Sequence, residues 1–132
     1  MVACQKMVAK DSYSTSIILV VEDDPDISLM LKSILEGDGS YQVILAANGF
    51  HALDLMKKVQ PDLFLFDYYL PGIDGLELYQ WFHAHGAFAT IPVLFLSANP
   101  PKEAFEKQHL SYLSKPFDVD HLLQKVDMLL TA

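Results

Sequence analysis

The sequence predicts a single doubly wound α/β domain built on a five-stranded parallel sheet. Three observations carry this. Five short apolar runs, four to six residues each, lack the polar alternation of a half-exposed strand, as expected for strands buried on both faces. Segments with helical spacing of apolar residues separate the runs. Strand then helix repeats five times in order, and right-handed crossovers then place helices on both faces of one sheet.

The first strand is expected at residues 17–21 (IILVV), closed by Glu22-Asp23-Asp24-Pro25. Asp24 as N-cap with Pro25 in the first turn starts a helix, whose face is Ile27, Met30, Leu31, Ile34 and Leu35. Gly37 and Gly39 stop it. The next strand, 41–46 (YQVILA), leads to a helix marked by Ala52, Leu53, Leu55, Met56 and Val59 and halted before Pro61. Residues 62–66 (DLFLF) form the third strand, and Leu76, Leu78, Tyr79 and Phe82 mark a third helix that ends near Gly86. A fourth strand is expected at 91–96, a short helix within 102–109, and a fifth strand at 110–113. The last helix begins after Pro116 and carries Leu122, Leu123, Val126, Leu129 and Leu130.

Of the 132 residues, 52% are hydrophobic, enough for one domain with a core. The formal charge is −8, from 17 acids against nine lysines and no arginine. That balance argues against nucleic acid as a direct partner. It also means that any phosphate must be held by lysine, backbone amides or a metal. No apolar run approaches the length of a membrane span. Residues 1–16 contain Lys6, Lys10, Asp11 and a Ser/Thr cluster without an apolar core, so they read as a flexible tail and not a signal peptide. The domain is expected over 17–132. Cys4 alone builds no disulfide framework, which fits a reducing, cytoplasmic setting.

In open sheets of this kind, ligands bind beyond the carboxyl ends of the strands. Those ends carry Glu22, Asp23 and Asp24, then Asn48, Asp67, Ser97, and Lys115-Pro116. If the first and third strands are neighbours, several carboxylates and a lysine crowd one edge, and like charges so close need a cation. An oxygen-rich donor set without a His/Cys cluster suits Mg²⁺ (or Mn²⁺). Beside such a metal, a carboxylate can act as nucleophile and become an aspartyl phosphate. Asp74, ahead of Gly75-Leu76, reads as an N-cap and not a ligand. The five histidines show no ligand spacing, and His83 and His85 point to different sides of a helix. An EF-hand at Asp24 fails, because its sixth and twelfth positions are Leu29 and Leu35. There is no Walker-type phosphate loop.

Four motifs, ILVVEDD (18–24), DLFLFDYYLPGIDG (62–75), PVLFLSA (92–98) and YLSKPF (112–117), resemble those of a response-regulator receiver domain of two-component signalling. The resemblance spans 17–131 and implies a flavodoxin-like strand order 2-1-3-4-5. It implies that Asp67 is the phosphoacceptor and Asp23 a direct metal ligand. Glu22 is then Asp23's partner, often acting through a water, and the Tyr69 backbone carbonyl a third ligand. Ser97 falls on the hydroxyl that swings toward the phosphoryl group, Tyr112 on the switch aromatic, and Lys115 on the lysine that contacts a phosphoryl oxygen. Lys115-Pro116 falls on a peptide usually cis in the family. The implied donor is a sensor histidine kinase or histidine phosphotransfer protein, and the implied readers are an unknown output protein or domain. Rival readings are a phosphate-independent receiver-like interaction module and a metal-dependent phosphatase or phosphotransferase; no general acid or substrate pocket recommends the latter.

The chain departs from the family in three places. Seventeen residues lie between Ser97 and Lys115, short by roughly one helical turn, and begin with Pro100-Pro101, so the fourth helix should be shortened or irregular. Tyr69 puts a bulky aromatic two residues past Asp67, where its ring is expected to shield an acyl phosphate from water. Ser97 replaces the more usual Thr, which loosens the expected coupling to Tyr112.

Overall fold

The computed structural model describes residues 15–131 except residue 38. The expected tail lies outside these residues, apart from Thr15 and Ser16. Strands β1 (Ser16–Val21), β2 (Tyr41–Ala46), β3 (Leu63–Asp67), β4 (Val93–Ser97) and β5 (Ser111–Ser114) alternate with helices. These are α1 (Pro25–Glu36), α2 (Gly49–Leu55), α3 (Gly75–Ala84), α4 (Lys102–Lys107) and α5 (Val119–Thr131), with a 3-10 turn at Gly86–Phe88. The sheet is parallel throughout, in the order β2-β1-β3-β4-β5. Fold class, strand order and the shortened fourth helix are as the sequence predicts; α4 has six residues.

Successive strand residues point to opposite faces, and the two faces differ in chemistry. Phe64, Phe66 and Phe95 turn toward Ala52, Leu78, Phe82 and Phe105 on the α2, α3 and α4 side. Ile18, Val20, Leu63, Leu65, Leu94 and Leu96 turn toward Leu31, Leu35, Leu122 and Val126 on the α1 and α5 side. One layer is therefore aromatic and the other aliphatic. In the aromatic layer, Phe64 stacks on Phe82 at 4.5 Å and Phe95 on Phe105 at 4.9 Å.

Strand β1 begins at Ser16, one residue before its run, and β2 matches its run; the other three strands shift the opposite way. Strands β3, β4 and β5 each begin one or two residues later than their runs and end one residue later. Asp67 and Ser97 are thus the last ladder residues of their strands. Asp62, expected as the start of β3, lies before it, and its carboxylate accepts the Ile17 amide at 2.7 Å. The second helix ends at Leu55, short of Val59, and gives way to turns.

Candidate functional site

Backbone bonds deliver the strand ends to one edge. The Glu22 amide donates to the Ala46 carbonyl at 3.1 Å, the Tyr68 amide to Leu96 at 2.9 Å, and the Lys115 amide to Ser97 at 2.7 Å. The register pairs Val21 with Phe66, Asp67 with Leu96, and Ser97 with Ser114. Glu22, Asp67, Ser97 and Lys115 therefore converge because four neighbouring strands end together.

The loops around them are held by short polar contacts. Asp24 caps α1, accepting the amides of Asp26 at 2.9 Å and Ile27 at 3.4 Å. That leaves Glu22 and Asp23 for other work. The buried Ser28 hydroxyl donates to the Glu22 carbonyl at 3.3 Å and steadies the turn from β1. Asp74 caps α3 in a reciprocal box with Glu77, as expected of it. After Asp67 the chain turns through Gly72, whose φ of +84° a side chain rarely adopts. Gly75 then brings α3 against the strand end: a Cβ there would lie 2.9 Å from the Asp67 carbonyl.

Carboxylate oxygens of Glu22, Asp23 and Asp67 all lie within 4.8 Å of one another. Among the described residues this is the only cluster of three or more such groups close enough to share an ion. Glu22 is 3% exposed and Asp23 open to solvent. Lys115 Nζ lies 3.2 Å from Glu22 Oε1 and 3.4 Å from Asp67 Oδ2. Burial raises the Glu22 pKa from 4.5 to about 7; the Asp67 charge adds to the rise, while the Asp24 amide and Lys115 oppose it. The donor set, three carboxylates with solvent on one side, fits a hard divalent ion that keeps waters.

Ser97 is fully buried, and its Oγ accepts the Asn99 amide at 3.2 Å. The Tyr69 amide donates to Asp67 Oδ1 at 3.3 Å, so its position two residues past the acid ties the loop to the carboxylate. Tyr69 is 57% exposed, and its ring meets Tyr68 edge-on. Tyr112 is half-buried against Phe105, ring centroids 5.3 Å apart. The Lys115-Pro116 peptide is cis. His83 and His85 are exposed and engage aromatic neighbours, Tyr79 and Trp81, on α3.

Two links escaped the sequence. Tyr68 turns inward, edge-on to Phe105 at 5.5 Å, and so joins the loop after Asp67 to α4. The Tyr69 hydroxyl donates to the Asn99 carbonyl at 3.4 Å. The first has a faint signal, an aromatic at a strand end; the second has none.

Comparison with known proteins agrees with this geometry. A sequence model described as the response regulator receiver domain matches residues 18–127. The chain is 38% identical over 117 residues to the DNA-binding dual master transcriptional regulator RpaA of Synechocystis, covering 86% of this chain and 48% of that protein. It is 34% identical over 113 residues to sporulation initiation phosphotransferase F of Bacillus subtilis, covering 83% and 89%. The chain thus spans about half of some curated relatives and most of others. A solved structure of the response regulator TrrA from Thermotoga maritima, in complex with Mg²⁺ and BeF, superposes with a TM-score of 0.77 at 31% identity, covering 87% of this chain and 99% of that one. The fold, the strand-end carboxylates and these relatives together show that the chain belongs to the response regulator receiver domain family.

Proposed function

We propose that this receiver domain is a Mg²⁺-dependent switch that accepts a phosphoryl group on Asp67. The observation that carries the reading is the position of Lys115 between Glu22 and Asp67, beside a three-carboxylate cluster at the sheet's carboxyl edge. An Asp67 oxygen attacks phosphorus, the donor's bond to phosphorus breaks, and the leaving group departs, as acetate when acetyl phosphate is the donor. Water later cleaves the acyl phosphate to restore the carboxylate and release inorganic phosphate.

Glu22, Asp23, Asp67 and the Tyr69 carbonyl would hold the ion, with Mn²⁺ as a substitute for Mg²⁺. Bound there, the metal neutralises charge developing on the phosphoryl oxygens. Lys115 contacts one such oxygen and Ser97 donates to another. Phosphorylation adds about −1.5 to −2 charges at neutral pH, drawing Ser97 toward the phosphoryl group and Tyr112 after it. The donor is a sensor histidine kinase or histidine phosphotransfer protein, in the cytoplasm, and an output protein or domain reads the changed surface. TrrA, crystallised with Mg²⁺ and BeF, supports the metal by analogy. Neither the fold nor the relatives favour a phosphate-independent module.

Intact-mass measurement after incubation with acetyl phosphate tests this. One phosphoryl adduct is expected with Mg²⁺, almost none without it, and none in Asp67→Asn. An adduct that survives Asp67→Asn would overturn the reading.

A further inference from the structure

The two loops that follow β3 and β4 share one construction. In each, the functional side chain accepts the backbone amide two residues on: Asp67 from Tyr69 at 3.3 Å, and Ser97 from Asn99 at 3.2 Å. A hydrogen bond joins them, the Tyr69 hydroxyl donating to the Asn99 carbonyl at 3.4 Å. Asp67, Tyr69, Asn99 and Ser97 thus form a chain of three hydrogen bonds, and the Tyr69 side chain is the span that crosses from one loop to the next. Asn99 leads through Pro100 and Pro101 directly into α4.

From this chain of bonds we infer that Tyr69 is a positioning residue: its hydroxyl latches the β4–α4 loop to the β3–α3 loop and closes the site over Asp67. At 3.4 Å the bond is long for O–H···O, so it opens readily. The release is built into the same chain of bonds. Ser97 Oγ, once turned to donate to a phosphoryl oxygen, leaves the position from which it accepts the Asn99 amide. Of these bonds Asn99 then keeps only the long one from Tyr69, and the loop that enters α4 is loosened. The latch thus joins two roles, slowing entry of small donors and water, and carrying phosphoryl capture to α4 independently of Tyr112. This rests on Asp67 as phosphoacceptor, but the latch itself has a readout without phosphate.

Tyr69→Phe keeps the ring and deletes only the hydroxyl. Hydrogen exchange on the unphosphorylated full chain should show faster exchange at the amides of Asn99 and Lys102 in Tyr69→Phe. With acetyl phosphate and Mg²⁺, phosphorylation and hydrolysis should both rise roughly two- to five-fold, the loss of one weak neutral hydrogen bond. Tyr69→Ala should be at least as fast. Unchanged exchange in Tyr69→Phe would overturn the latch, whether or not the protein takes phosphate. So would wild-type rates in Tyr69→Phe beside raised rates in Tyr69→Ala, which would leave the ring as a cover only. A wild-type chain that takes no phosphoryl group would instead sink the phosphoacceptor reading, and the exchange result would still decide the latch.

Discussion

Lys115 Nζ stands 3.2 Å from Glu22 Oε1, joining the end of β5 to the end of β1 across the sheet, with Asp67 3.4 Å from the same ammonium. The lysine is the cation nearest two otherwise opposed carboxylates. Lys115→Met should therefore destabilise the metal-free protein by about 1–3 kcal/mol, the cost of leaving a buried charged group without its partner. Urea unfolding checks this, and saturating Mg²⁺ should recover much of the loss.

Glu22 sets a pH dependence. Its folded pKa of about 7 exceeds its ordinary 4.5, mainly through burial. Between those values the folded state holds a proton that the unfolded chain releases, so stability falls as pH rises through this window. Glu36 works in the opposite sense and elsewhere: the Val43 amide and then Lys32 hold its pKa below 4.5, so its contribution is lost only as pH falls below that value. A urea series on metal-free protein should show a declining midpoint from about pH 4.5 to 7, flattened in Glu22→Gln.

Phe105 is the single buried residue of α4. It stacks on Phe95 and touches both Tyr68 and Tyr112. Phe105→Ala should cost about 3–5 kcal/mol and loosen Tyr112. Denaturant unfolding gives the first effect, and Tyr112 ring-flip rates by NMR the second.

His109 follows α4 with φ +56°. Its amide bonds the Glu106 carbonyl at 3.2 Å, and the Leu110 amide bonds Phe105 at 2.8 Å, the closing pattern in which glycine is preferred. His109→Gly should stabilise by about 0.5–1 kcal/mol, the strain of a left-handed non-glycine residue less the extra chain entropy of glycine. A thermal melt decides it.

Much of this was legible in the chain. The alternation of Phe and Leu in LFLF and VLFL already separates an aromatic face from an aliphatic one, and the capping acids Asp24 and Asp74 announce their helices. Strand ends were read early because apolar character stops before the hydrogen-bond ladder does: Asp67 and Ser97 are polar yet still paired in the ladder. The short α4 followed from a count of residues between Ser97 and Lys115. The Tyr69–Asn99 contact was not readable, because a hydroxyl meeting a backbone carbonyl thirty residues away leaves no pattern in sequence. Tyr68 was hidden for a similar reason: two adjacent tyrosines look alike, and only the fold turns one inward and exposes the other.

In the proposed switch one carboxylate, Asp67, carries the phosphoryl group. Borohydride reduction of the acetyl phosphate-treated, Mg²⁺-loaded protein, followed by peptide mass mapping, locates that carboxylate, because an aspartyl phosphate is reduced to homoserine where it stands. Homoserine is expected at position 67 and nowhere else. Homoserine at Asp23 or another acid, or none despite a phosphoryl adduct in intact mass, would contradict it.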